Sequence, residues 1–204
     1  MAEKDKLKWD EKYKQKPDLL EARPVSRFVE KYYDVCEGKQ ALDVACGSGR
    51  HTLFLSEKGF SVDSVDISSV ALEKLSQQVN DSVNIIQADL DTFVPKREFY
   101  DLIVMTNFLD RDLIARCCDG LKDGGIFIIE TYMEDDENEK KDSNPDFLLY
   151  EEELIRLFIA GYKRIDYDEF WNENYEKYRM KKQAIVVQKG RQLQVKTVDR
   201  YSID

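Results

Sequence analysis

The stretch ALDVACGSGRHT, Ala41 to Thr52, decides the fold. Residues 41–45 are a short apolar strand that runs into a turn of small residues. A helix over 50–58 follows, stopped by Gly59. Gly47 and Gly49 accept positive φ and allow close backbone approach. The helix N-terminus behind them offers free amides at the positive end of its dipole. Such a bend suits a ligand with a polar or anionic group. A lone Gly-x-Gly after a strand is just as often a plain turn, so the surrounding residues must decide.

A dinucleotide fingerprint, Gly-x-Gly-x-x-Gly, needs a third small residue for close helix packing. Counted from Gly47, that position holds Thr52. The strand also supplies an acid, Asp43, just before the turn. An acid is awkward beside a pyrophosphate and well placed near a cationic ligand, directly or through water. S-adenosylmethionine is such a ligand, with an ammonium, a sulfonium and no phosphate. Asp66, seventeen residues after Gly49, stands at the tip of the next strand, where an acid can accept both ribose hydroxyls. Asp89 ends a third unit and can accept from an adenine amine, with Leu90 against the ring. Taken singly, Asp66 is equally a helix cap and Asp89 a loop acid. Three acids ending successive strands are far more specific.

Outward from the bend, strand and helix alternate. Residues 61–67 read as strand, and Ser68 or Ser69 caps a helix to about Gln78. Residues 83–87 and 100–105 are strands, 112–121 a helix, Asp123-Gly124-Gly125 a turn and 126–131 an apolar strand. This alternation predicts an α/β fold with a parallel sheet covered on both faces. Upstream, a charged helix over 4–16 carries Trp9 and Tyr13 and ends at Pro17. A second helix starts near Pro24 with an apolar face of Val25, Phe28, Val29, Tyr32 and Tyr33, closed by Gly38. Downstream, 134–145 is a charged loop, solvated or a lid. Leu154, Leu157 and Phe158 give a helical face, and 162–168 and 183–187 are late strands. The expected division is a helical cap over the active site at 1–37, a cofactor-binding domain at 38–189 and a polar extension at 190–204.

The chain has 204 residues, 42% of them hydrophobic, enough for one α/β domain with a real core. Its formal net charge of -10, with no concentration of Lys and Arg, argues against nucleic acid as a partner. Cys36, Cys46, Cys117 and Cys118 form no C-x-x-C pair, and one histidine makes no zinc pattern. Free thiols, no signal-like apolar run at the start and no membrane-length segment imply a cytoplasmic protein that uses no metal or membrane. A monomer and a homodimer are both compatible with this reading.

At these residues the chain resembles class I S-adenosylmethionine-dependent methyltransferases, whose first motif is an acid followed by alternating glycines. Here it reads Asp43-Val44-Ala45-Cys46-Gly47-Ser48-Gly49, with Ala45 in place of the first glycine. The resemblance runs roughly from Trp9 to Val187. Within the class it is most similar to small-molecule methyltransferases of the tellurite-resistance and thiopurine kind. The matching features are Trp9-Asp10-x-x-Tyr13, the Arg23–Phe28 stretch, GSGRH, residues 106–111 and the 144–149 stretch before an acidic helix. The resemblance implies a Rossmann-like seven-stranded sheet with the last strand antiparallel. It also implies that Asp43, Ala45, Gly47, Gly49, Asp66, Ile67, Asp89, Leu90 and Asn107 line the cofactor.

Methyl transfer from a sulfonium is an in-line displacement, so alignment and exclusion of water matter more than acid–base machinery. A soft acceptor, a thiol or a selenium or tellurium oxyanion, needs little deprotonation. Substrate-side candidates are Tyr13, Arg23, Asn107, Phe108, Arg111, Glu130 and Tyr132. Arg23 or Arg111 either holds an anionic acceptor or makes a surface ion pair. Phe108 packs on the acceptor or in the core with Trp9, and Tyr13 and Tyr132 alternatively cover the core edge. His51 is a base or, more simply, a packed partner of the turn, and Cys46 fits the turn by its size. Two competing readings are a nucleotide-dependent oxidoreductase, opposed by Asp43 and Thr52, and a regulatory module that binds the cofactor without catalysis.

Overall fold

A computed structural model describes residues 2–158 and 160–190. Seven strands, β1 (Gln40–Val44), β2 (Ser61–Asp66), β3 (Val83–Gln87), β4 (Tyr100–Thr106), β5 (Leu121–Tyr132), β6 (Tyr162–Trp171) and β7 (Lys181–Lys189), form one sheet. Its order is β3-β2-β1-β4-β5-β7-β6. Pairing is parallel from β3 to β5, and β7 runs antiparallel to both neighbours. This is the Rossmann-like sheet expected from the sequence, with its last strand reversed. The helices are α1 (Ala2–Gln15), α2 (Arg27–Tyr32), α3 (Arg50–Glu57), α4 (Ser69–Ser76), α5 (Arg111–Gly120) and α6 (Glu153–Leu157). No helix among the described residues is long and apolar enough to cross a membrane.

The period-two alternation of strands sorts side chains into two layers. Leu102, Val104, Ile126, Ile128, Ala184 and Val186 pack with Phe28 and Val29 of α2 and Leu55 of α3. Ile103, Met105, Phe127, Ile129, Ile185 and Val187 pack on the other face with Leu113 of α5 and with Leu154 and Phe158. Along the α2–α3 face the same alternation continues past the apolar layer into Thr106, Glu130 and Lys182, all buried. The carboxyl edge of the central sheet is therefore polar on one face.

Some boundaries differ from expectation. The second helix begins at Arg27, because the Ser26 hydroxyl accepts from the Phe28 amide at 3.2 Å and caps it there. The predicted turn at 123–125 lies inside β5, as a bulge opposite the step from Tyr100 to Leu102. Leu157 is 40% exposed, so the inward face of α6 is Leu154 with Phe158 just beyond it. The loop over 134–145 is largely solvated, but Asn138 is buried and holds Met133 O and Lys181 N at 2.8 and 2.7 Å. Beyond Gly190, the expected C-terminal extension lies outside the described residues.

Helix α1 docks through one buried acid. Asp10 accepts from the hydroxyls of Ser68 and Ser69 at 2.7 and 2.9 Å and from the Val70 amide at 3.2 Å. It thus supplies acceptors to the N-terminus of α4, where a negative charge is favoured. Asp10→Ala is expected to lower stability by about 1–3 kcal/mol. In limited proteolysis, cleavage in α1 should then precede cleavage of the rest. Equal resistance of variant and parent would remove this role.

Candidate functional site

After β1 the chain turns through Ala45, Gly47 and Gly49 with φ of 54°, 55° and 89°. The Gly49 amide donates to Cys46 O at 2.9 Å, and the Cys46 amide donates to Val65 O at 3.0 Å, which ties the bend to β2. A Cβ at Gly49 would overlap the Leu75 side chain, and one at Gly47 would stand 3.3 Å from the Tyr13 hydroxyl. Ala45 adopts the same left-handed backbone with a methyl group, at a cost of about 1–2 kcal/mol. Ala45→Gly removes that strain but gives up about 0.5–1 kcal/mol of chain entropy. The net expectation is a small gain of up to about 1 kcal/mol in urea unfolding. A clear loss of stability would mean that the methyl packs usefully.

Asp66 ends β2 beside this bend. Its Oδ2 accepts from the Gly47 amide at 2.8 Å and its Oδ1 from the Ser68 amide at 2.9 Å. Burial raises its pKa, and the amide bonds only partly offset that. The Ala88 amide donates to Asp66 O at 3.1 Å, so the tip of β3 is adjacent. Ile67 follows, half-buried, with its carbonyl accepting from the Gln87 side chain at 3.1 Å. Asp89, half-buried, accepts from the Asp91 amide at 3.1 Å. Leu90 is buried in the α5-side layer.

Asp43 does not point into the bend. It is buried between sheet and α3, accepting from the Thr52 hydroxyl at 2.7 Å, and Thr52 in turn shares a hydrogen bond with Ser64. Burial pushes its pKa up to about 6, against smaller opposing effects from Thr52 and Arg50. A folded pKa above the unfolded one means that the native state holds the proton more tightly. This stabilisation is full below the ordinary carboxylate pKa and is lost as pH rises through about 6. Stability of the parent should therefore fall between about pH 4 and pH 6 by this contribution. Asp43→Asn should flatten that limb of the stability–pH curve. An identical curve would reassign the proton.

The acceptor-side candidates gather beyond the ends of β4 and β5. Asn107 is exposed, has φ of 55°, and its amide donates to Glu130 O at 2.8 Å. Glu130 accepts from the Ser26 hydroxyl and from the Lys182 ammonium, the latter at 3.2 Å. Lys182 also pairs with Glu176 at 2.9 Å, and Glu176 accepts from the Tyr132 hydroxyl. Lys182 is only 2% exposed. Burial, then the charge of Glu176, raises the pKa of Tyr132, so this phenol keeps its proton. Arg23 lies near enough to Tyr13 and Tyr132 to favour their ionised forms, though burial dominates at both.

A cavity of about 310 Å³ opens beside this network, lined among others by Val25, Arg50, Glu130, Phe170 and Lys182. Of these, Glu130 belonged to the sequence candidates. Lys182, Arg50, Phe170 and the nearby Glu176 were missed. Lys182 had a faint signal: it shares strand parity with Ala184 and Val186, which places it on the buried face.

Arg111 is not available to an acceptor. It grips Glu153 at 2.6 and 2.9 Å and donates to the carbonyls of Asp146 and Leu148. Phe108 packs against the α5-side core, while Trp9 pairs with Tyr13. His51 is buried and engaged at both nitrogens, with Nε2 accepting from the Ser26 amide at 3.3 Å and Nδ1 3.4 Å from the Thr106 hydroxyl. Burial drives its pKa well down, and with both nitrogens engaged it serves as a neutral structural link. Burial likewise drives the Cys46 thiol far up, away from nucleophilic use. Among the described residues no cluster of His, Cys, Asp and Glu is arranged to hold a metal ion.

Residues 41–125 match the family model described as a methyltransferase domain. That segment is similar to methyltransferase domains. The match covers the bend, the three acids, the first four strands and the start of β5. A curated relative, the alpha N-terminal protein methyltransferase 1 of Caenorhabditis elegans, is 32% identical over 130 residues, 58% of this chain. The chain spans only 56% of that relative's length. Among solved structures, TehB from Haemophilus influenzae superposes with a TM-score of 0.69 at 23% identity, covering 81% of this chain and 62% of that one. An S-adenosylmethionine-dependent methyltransferase from Mesorhizobium loti gives 0.64 at 16% identity, covering 79% and 96%. At such identities these two establish a shared fold.

Proposed function

We propose that this chain is an S-adenosylmethionine-dependent methyltransferase acting on a small-molecule acceptor in the cytoplasm. The observation that carries the reading is the carboxylate of Asp66, held at the tip of β2 by the amides of Gly47 and Ser68 inside a left-handed glycine bend. Each oxygen keeps acceptor capacity for a ribose hydroxyl. The residues present fit this cofactor better than a dinucleotide. Asp66 borders the bend, Asp89 follows the adjacent tip of β3, and Thr52, bonded to Asp43, occupies the third-glycine position.

Asp66 is assigned to the ribose, Asp89 and Ile67 to the adenine end, and the bend with Asn107 to the amino-acid end. Tyr13, carried by α1, covers Gly47. When bound, the cofactor would supply a methyl carbon as electrophile and a neutral thioether as leaving group. The chain's task is to align the acceptor and exclude water. His51 and Tyr132 both keep to structural bonds, which favours an acceptor that needs little deprotonation, such as a thiol or a chalcogen oxyanion.

Calorimetry with S-adenosylmethionine and with nicotinamide dinucleotides tests the cofactor, and only the former is expected to bind. Turnover with labelled methyl over tellurite, selenite, thiols and small aromatic acceptors tests catalysis. The likeness to a protein methyltransferase adds a peptide α-amine to that screen. Dinucleotide binding without S-adenosylmethionine binding would sink the proposal.

A further inference from the structure

The cavity beside Glu130 is lined by one cation that enters no ion pair among the described residues. Arg27, at its rim, pairs with Asp168 and stacks on Phe170. Lys182, at its floor, is divided between Glu130 and Glu176. Arg50 also lines it, donates to the Thr106 hydroxyl at 3.2 Å, and enters no ion pair among the described residues. It favours the charge of buried Asp43 without reaching ion-pair distance. Arg50 is also the first residue of α3, where the helix dipole opposes a positive charge. An anion arriving there would meet both the guanidinium and the positive helix end.

Resting on the methyltransferase reading, we propose that this cavity is the acceptor chamber and takes a small organic monoacid through its oxyanion. The carboxylate lies on Arg50, which can grip it with two parallel hydrogen bonds. The body of the acid lies on Phe170 and Val25. Size favours an organic acid over an inorganic oxyanion, since about 310 Å³ falls within the range of pockets for organic ligands. Charge favours one carboxylate over two. Glu173 lines the cavity, is exposed and enters no ion pair among the described residues, so it repels a second anionic group.

The test is titration calorimetry on the full chain saturated with S-adenosylhomocysteine, with benzoate, benzamide, succinate, tellurite and selenite as probes. Benzoate is expected to bind at least tenfold more tightly than benzamide or succinate, and more tightly than either inorganic ion. Arg50→Gln should weaken benzoate at least tenfold and leave the affinity for S-adenosylmethionine within twofold. The inference is overturned if benzoate and benzamide bind alike, or if only the inorganic ions bind. It is also overturned if Arg50→Gln spares benzoate and weakens S-adenosylmethionine, which would assign Arg50 to the cofactor's carboxylate. The comparison of benzoate with benzamide needs no variant, so it stands even if Arg50→Gln misfolds. Failure of the unaltered chain to bind S-adenosylmethionine would instead strike the proposed function.

Discussion

Lys182→Met is expected to destabilise the protein by about 3–5 kcal/mol, the range for removing one partner of a buried ion pair. The ammonium is the shared counter-charge of Glu130 and Glu176. Burial works against the charge of Glu176, but Lys182, with the Tyr132 hydroxyl, more than offsets it and holds its pKa below the ordinary value. Without Lys182, two carboxylates face each other at the edge of an apolar layer. The measurement is the urea midpoint at neutral pH. A double variant, Lys182→Met with Glu130→Gln, should recover part of the loss, because the removed charge no longer needs its partner. Losses that simply add would show that the two side chains do not act as a pair.

Asp66→Ala is expected to weaken S-adenosylmethionine binding at least tenfold, about the loss of one or two charge-assisted hydrogen bonds. The variant also frees the amides of Gly47 and Ser68, so part of the effect passes through a looser bend. Asp66→Asn separates the two contributions. It keeps the side-chain volume and one acceptor oxygen for the bend but removes the charge. Calorimetry on variants whose unfolding remains cooperative reads the affinity directly. Unchanged affinity in a folded Asp66→Ala protein would take Asp66 out of the site.

What the sequence could disclose was local. The bend announces itself because left-handed backbone at Gly47 and Gly49 demands their residue type, and the sheet's layers follow from alternation within single strands. The acid at the tip of β2 falls at the expected place because strand and helix lengths are set locally. The acceptor side is built by distant partners, which no local pattern encodes. Arg111 meets Glu153 across 42 residues, and Lys182 meets Glu130 across 52. Asp10 reaches Ser68 across 58, so its docking of α1 lies beyond any local pattern. Asp43 does not face the ligand, although its place just before the turn suggests that it would. Its strand parity places it with Ala41, on the α3 side, where Thr52 waits for it.

The reversal of β7 has a consequence for how such a protein can diversify. In a wholly parallel sheet, a direct hairpin could not join the last two strands. Here the link between β6 and β7, residues 172–180, emerges at the same edge as the tips of β4 and β5, and it brings Glu173, Tyr175 and Glu176 with it. On the proposed reading the nucleoside is gripped by one half of the sheet and the acceptor is chosen by the other. Lengthening or recolouring that hairpin would retune selectivity while the grip on the methyl donor stays as it was.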